Sequence, residues 1–510
     1  MSNAPAGRDS TGTCAPAPEQ EVPVPYRPVT LRVPRGSIAP SALQPGLDAL
    51  IEKADVPVDF PDEVLDAARA AAEDPAPTEH EDLRDREFLT LDPEGSTDLD
   101  QAMHLERTAD GYHVSYAIAD VPLVVPLGGP VDEEARRRGE TIYLPDRRIP
   151  LHPVEISEGA GSLLPGQDTP ALVWEFDLDA EGNVRSTQLR RAVVCSRRQL
   201  DYDTVQEQLD AGTAEPMMQL LMEIGAQRIR LEKERSGMTL NLPEQRVEAD
   251  GEHLRLQWRR PAPVEDANAQ ISLLTGMEAA RIMIEGGIGI LRTMPAPEDE
   301  AVDRFRRQAR ALQVEWPDSV GHAEFLRTLD WTAPRHLALL NQAGPLFRGA
   351  GYAAFTAADD VPEDPAQSAI GAPYTHATAP LRRLVDRFVL AVCWRLTQGL
   401  PVEDDLREAL PYTPEIMQQT GSRAGALERE ALEFVEFASL EDFIGEVFVA
   451  AVIDRRTPKD APVRTELQLI EPPVTVWTEI DSPIGEVIRV RLDAVDAAGR
   501  TASFTPTTPA

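Results

Sequence analysis

The chain has 510 residues, 86 acidic against 50 Lys and Arg, a net charge of −36 and 42% hydrophobic residues, enough for two to four domains with sizeable cores. So acidic a chain is not a nucleic-acid binder coated in positive charge, but screening beyond about 8 Å makes local charge decisive. No apolar run nears the ~20 residues of a membrane span, residues 1–25 lack the apolar middle of a secretory signal, and Cys14, Cys195 and Cys393 are too widely spaced for a disulfide framework or zinc pattern, so the expected location is the cytoplasm.

Residues 1–25 read as a disordered leader. Residues 26–82 hold one strand-like piece, VTLRV, and one helical piece, DEVLDAARAAAE, and form a small N-terminal segment or domain; PAPTEHED breaks the chain after them. EFLTLD is a strand. QAMHLERTADGYHVSYAIADV alternates on both sides of Asp110-Gly111 and predicts a hairpin. ALVWEFDLDAEGNVRSTQLRRAVV predicts a second, turning at Glu181-Gly182-Asn183. Its DLDAEG mimics the start of a calcium loop, but the twelfth position is Gln188 where such a loop needs a bidentate Glu. MMQLLMEIGAQRIRLEKERSG is a helix with Met217, Leu221, Ile224 and Arg228 on one stripe and Gly237 as its stop. Helices are also expected over 268–285, 300–313, 380–398 and 413–440. From Gly445 onward EVFVAAVID, TELQLIE, VTVWTEI and EVIRVRLDAV suggest a small OB- or S1-like barrel over 441–510. The fold class is α+β.

The stretch LDPEGSTDLDQAM carries Asp92, Asp98 and Asp100. In an extended chain residues two apart face the same side, so Asp98 and Asp100 project together. A turn at Gly95-Ser96 returns them to Asp92. Three ionised carboxylates at close range repel unless a hard cation sits among them, and Mg²⁺ is the usual one in phosphate chemistry. A solvated acidic loop is the plain alternative.

In YTHATAPLRRLVDRFVLAVCWRL, Leu381, Leu384, Val385, Phe388, Val392 and Leu396 make one apolar stripe. Pro380 suits the first turn of that helix. Arg382 and Arg383 then lie at the positive end of its dipole, which costs roughly 0.3–1 kcal/mol per charge. A phosphate bound by free backbone N–H groups and two guanidinium groups would account for them; pairing with acids elsewhere is the other reading. Tyr143 in TIYLPDRRIP and Tyr202 in QLDYDTV are candidates for stacking on a base, or packed residues with satisfied hydroxyls.

Together these segments resemble the RNase II/RNase R family, whose catalytic part is the RNB domain. FLTLDPEGSTDLDQAM, YAIADVPLVV, DEEARRRGETIYLPDRRIPLHP, RSGMTLNLPE and YTHATAPLRRLVDRF follow one another in the family's order. The resemblance implies an RNB domain over 83–440, a mixed sheet with surrounding helices, followed by the S1-like barrel. It implies 3′–5′ hydrolysis of single-stranded RNA to 5′-mononucleotides by a monomer, with Mg²⁺ or alternatively Mn²⁺. Asp92, Asp98 and Asp100 match metal-binding aspartates, with Asp100 also catalytic, and Arg382 matches the arginine that stabilises the scissile phosphate. Tyr143 and Tyr202 match tyrosines at the RNA 3′ end; Arg383, Tyr374 and His376, in the last motif, are further RNA-binding positions.

Three departures stand out. The family's fourth aspartate is Gln101, expected here to ligate a metal through its amide oxygen and to raise the demand for Mg²⁺, so that Gln101→Asp would gain. In NAQISLLTGMEAARIM the family's catalytic-site Glu aligns with Ser272, leaving Glu278 to serve from another turn. Residues 26–82 are too short, and neither basic nor aromatic enough, for cold-shock domains, which predicts lower processivity. An RNA-binding protein that kept the fold and lost catalysis is the alternative, and a metal-binding acidic protein or a phosphodiesterase of small substrates a third.

Overall fold

The computed structural model describes residues 29–30, 39–73, 80–238, 244–250, 253–259, 261–457, 462–470, 472 and 474–507. The expected leader lies outside them. Where one N-terminal helix was expected there are two, α1 (Ala39–Ala54) and α2 (Asp62–Glu73). Pro40, Pro45 and Gly46 disguise α1 as a loop. Gly46 has a steric reason: a Cβ there would come within 2.2 Å of the Phe434 ring. Of the VTLRV strand, Val29–Thr30 lies within the described residues and pairs with Leu256 and Arg255 of a hairpin, 244–250 with 253–259, absent from the sequence reading.

The alternating segments form a mixed sheet that closes on itself. β1 (Phe88–Asp92), β2 (Gln101–Thr108), β3 (Gly111–Ala119), β4 (Asp168–Asp179) and β5 (Val184–Asp201) lie in the order β5-β1-β2-β3-β4, and β4 pairs again with β5. β1 runs parallel to β5; the other pairings in this ring are antiparallel. The β2–β3 hairpin pairs Thr108 with Gly111, placing the turn one residue before its expected position. Gly111 is needed because a Cβ would lie 2.1 Å from the Leu178 carbonyl. At the β4–β5 tip Asp179 Oδ1 accepts the N–H groups of Glu181 and Asn183 at 3.0 and 2.8 Å. That carboxylate is spent on its own turn, as a hairpin reading of DLDAEG requires.

Helix α3 (Pro130–Arg138) lies between β3 and β4, and α4 (Pro216–Glu234) and α5 (Pro263–Gly286) follow β5, then β6 (Gly289–Thr293) paired with β7 (Gly351–Phe355). Between those strands lie α6 (Asp299–Ala311) and α7 (Pro334–Asn341). Next come α8 (Leu384–Thr397) and α9 (Thr413–Leu440). One continuous core joins Met103, Tyr116, Trp174 and Phe176 of the sheet to Leu221, Ile271 and Phe388 of α4, α5 and α8. α1 rests on α9, with Lys53 Nζ 2.7 Å from Glu430, and Val64 and Ala68 of α2 share a core with Val131 of α3.

The C-terminal unit has β8 (Val447–Arg456), β9 (Arg464–Leu469), β10 (Thr475–Thr478), β11 (Val487–Asp496) and β12 (Thr501–Pro506), antiparallel in the order β10-β9-β8-β11-β12. The fifth strand is one more than expected. Ala451 and Ile453 of β8 share a core with Phe305 of α6 and Leu339 of α7, and Gln342 Nε2 donates to the Ile453 carbonyl at 3.0 Å. No helix among the described residues is long and apolar enough to cross a membrane.

Candidate active site

The carboxylates arise where β1 ends. Asp92 is its last residue and pairs with Asp201 of β5, which brings Tyr202 beside it. Gly95 at φ +80° and a Ser96 N–H to Pro93 carbonyl bond make the expected turn. Leu99 is fully buried and anchors the return; Ser162 Oγ accepts its N–H at 2.9 Å. On either side of that anchor, Asp98 and Asp100 meet different partners. Asp98 Oδ1 accepts from Arg148 at 2.6 Å and Oδ2 from the Tyr143 hydroxyl at 3.3 Å. Asp100 is 3% exposed, and its Oδ1 accepts the Leu381 N–H at 2.7 Å.

The arginine segment departs from expectation. The helix begins at Leu384, not 380, so Arg382 and Arg383 precede it. The cause is competition for backbone donors. Ala379 N–H goes to Asp386 Oδ1 at 2.8 Å, Leu381 N–H to Asp100, Arg382 and Arg383 N–H to the Ala379 carbonyl, and Leu384 N–H to the Gly139 carbonyl. Every N–H from Ala379 to Leu384 thus has a protein partner, so the turn that carries the two arginines does not itself supply the backbone donors expected for a phosphate. Arg383 is also spoken for: its Nε and Nη2 lie 2.5 and 3.0 Å from the Asp386 carboxylate. Arg382 is different. Its side chain is 47% exposed, and its Nε lies 3.5 Å from Asp100 Oδ2.

Whether a cation fits can be judged from the carboxylates. Asp92 Oδ2 is buried without a hydrogen-bond partner. Burial pushes the Asp92 acid up to about 6 against the pull of Arg382, and burial also raises Asp100 well above the carboxylate range. A hard cation between them would satisfy the orphaned oxygen and keep both acids ionised. These two residues therefore suit a divalent ion. Asp98 is held by Arg148, and among the described residues no three acid, His or Cys side chains converge as a ready metal group. Gln101 Nε2 donates to the Thr378 carbonyl. Ser272 Oγ lies 2.8 Å from the hydroxyl of Tyr116, which is fully buried. Glu278 is bound by Thr187 Oγ1 at 2.6 Å and by Arg281 at 2.9 Å, so it does not replace the missing acid.

The family model described as RNB domain matches residues 80–399, and that of the RNase II-type exonuclease C-terminal S1 domain matches 446–507. The chain belongs to the RNB family. Among its relatives, Ribonuclease R of Aquifex aeolicus is 25% identical over 436 residues, 80% of this chain and 59% of that one. Ribonuclease R of Thermotoga maritima is 25% identical over 434 residues, 80% and 60%. This RNB protein thus spans less than two thirds of the length of these curated relatives. Mycoplasma genitalium RNase R, solved in complex with ribose methylated single-stranded RNA, matches with a TM-score of 0.80 and 19% identity over 90% of this chain and 77% of that one. Yeast Ssd1, described as a pseudonuclease, matches at 0.66 and 15%, over 90% and 57%. At these identities the likeness shows the fold.

The aromatic positions of this RNB protein divide in two. Tyr143 is 45% exposed on a short hairpin, Ile142–Tyr143 with Arg148–Ile149. Its backbone N–H is held by Glu428 at 3.0 Å. Tyr202 is half-buried, and its hydroxyl accepts from Asn268 at 2.9 Å. Burial, then Asp92, pushes that hydroxyl up to about 12. Tyr374 is buried against Gly276, where a Cβ would meet its ring at 2.2 Å. His376 Nδ1 lies 2.6 Å from the Tyr352 hydroxyl. Tyr374 and His376 pack edge-on against each other, and the Tyr374 ring is buried. Arg148, which fixes Asp98, escaped the sequence reading although it lies within TIYLPDRRIP; nothing in local sequence ties it to an aspartate 50 positions away.

Proposed function

We propose that this protein is a metal-dependent 3′–5′ exoribonuclease that hydrolyses single-stranded RNA to 5′-mononucleotides as a single chain. One observation carries the reading. The exposed guanidinium of Arg382 stands 3.5 Å from buried Asp100, beside Asp92 with its unpartnered oxygen. Mg²⁺ or Mn²⁺ held by Asp92 and Asp100 would supply an activated water and neutralise charge on the phosphate. Arg382 would meet the non-bridging oxygens of the scissile phosphate, where charge grows in the transition state. The exposed ring of Tyr143 would stack on the terminal nucleotide, and Tyr202 would border it beside Asp92.

The test is incubation of a 5′-labelled single-stranded RNA with wild-type protein and with Asp100→Asn, in Mg²⁺ and in Mn²⁺. Shortening from the 3′ end with mononucleotide release by wild type alone is expected. Gln101 and Ser272, at positions where the family carries acids, favour a second reading: an RNA-binding protein without catalysis. RNA shifted in a gel but left intact in both metals would select it.

A further inference from the structure

The guanidinium of Arg382 has little of its own to hold it: one 3.5 Å approach to Asp100 at nearly half exposure. Its position must come from its backbone. Downstream that backbone is tied by the Thr141 N–H to the Arg382 carbonyl and by the Leu384 N–H to the Gly139 carbonyl, both at 2.9 Å. Upstream, two consecutive residues at the start of β2 reach across. Asp100 accepts the Leu381 N–H, and Gln101 Nε2 donates to the carbonyl of Thr378, a buried residue. A carboxylate at 101 has no proton to donate there and would face a carbonyl oxygen with its charge. A donor of this reach is what ties the Thr378 carbonyl to the start of β2.

We infer that Gln101 is a positioning residue, whose amide clamps the Thr378–Arg382 turn so that the arginine stays over Asp100, and that its role is not to ligate metal. The inference rests on the exoribonuclease reading and reverses the expectation that an aspartate at this position improves the enzyme. The entry to β2 thus sets both sides of the reaction centre, with the acid at residue 100, just before the strand, and the arginine's seat at residue 101, its first residue.

The experiment uses the full chain with Gln101→Asp, Gln101→Glu and Gln101→Met, each alone and with Arg382→Ala. Thermal unfolding confirms that each folds. Binding of a single-stranded RNA is measured in EDTA, and initial rates are measured across a Mg²⁺ titration. All three substitutions should weaken metal-free RNA binding by up to about tenfold, the reach of one ordinary hydrogen bond. Rates at saturating Mg²⁺ should fall by about tenfold or more, without exceeding the ~10²–10³ loss of removing the arginine itself. The Mg²⁺ concentration for half-maximal rate should stay put. In the Arg382→Ala background the position-101 changes should add nothing, the signature of action through one partner. A gain in rate or a lower Mg²⁺ requirement with Asp or Glu overturns the inference, as do losses that multiply with Arg382→Ala. If wild type binds RNA without cutting it, the exoribonuclease reading fails and the EDTA arm alone decides the clamp. An RNA neither bound nor cut overturns both.

Discussion

Asp100 and Leu381, 281 positions apart, share a 2.7 Å hydrogen bond from backbone N–H to carboxylate. That bond spends Oδ1 on architecture and leaves Oδ2 facing Arg382. Acid and arginine are therefore set at fixed separation by the backbone, and their substitutions should separate activity from stability.

Replacing Arg382 with Lys keeps the charge but loses the planar fork. The rate on single-stranded RNA should fall by about 10²-fold, within the range for one transition-state donor, with the unfolding midpoint unchanged. Single-turnover kinetics with scanning fluorimetry checks both. A rate within twofold of wild type would remove Arg382 from the chemistry.

Asp100→Asn should abolish hydrolysis and yet leave the protein at least as stable in EDTA at pH 7. Burial already penalises the ionised acid, and an amide oxygen can still accept the Leu381 N–H. A midpoint no lower than wild type, measured by calorimetry, is the expected result.

Tyr143→Ala should weaken RNA binding, because base–aromatic stacking contributes about 1–3 kcal/mol. Fluorescence anisotropy with a 3′-hydroxyl oligonucleotide should show that loss, while Tyr374→Phe, which keeps the buried ring, should leave affinity unchanged.

A pH effect is expected away from the site. His113 Nε2 and Nδ1 lie 2.8 Å from Glu175 and Asp177, and the bond to Glu175, more than that to Asp177, raises the imidazole to about 9. A raised folded-state value means the native protein binds more protons. This contribution is complete below about 6.5 and is lost as pH climbs through about 9. It amounts to at most roughly 3 kcal/mol. The urea midpoint should drop from pH 7 to 9.5 in wild type and much less in His113→Gln.

Much of the fold was legible because periodicity is local. The 28 residues Thr413–Leu440 and both sheet hairpins are patterned by their own neighbours. α1 was not legible, since Pro45 and Gly46 argue for a loop until Phe434 is seen to need the space. Within the site, Arg382 could be singled out because its charge offends the nearby helix, but its neighbour Arg383 looked the same until Asp386 claimed it. The partners of Gln101 and Asp98 lie 277 and 50 positions away. No spacing rule reaches that far, so an amide clamp looked like a weak ligand.

Ala451 and Ile453 of β8 lodge among residues of α6 and α7, the excursion between β6 and β7. The terminal barrel is therefore oriented by a stretch made more than a hundred residues earlier in synthesis. A foreign barrel grafted at Gly445 would lose this contact unless it carried small and branched apolar side chains at those two places, and would keep only the seat that Phe437 and Leu440 of α9 provide.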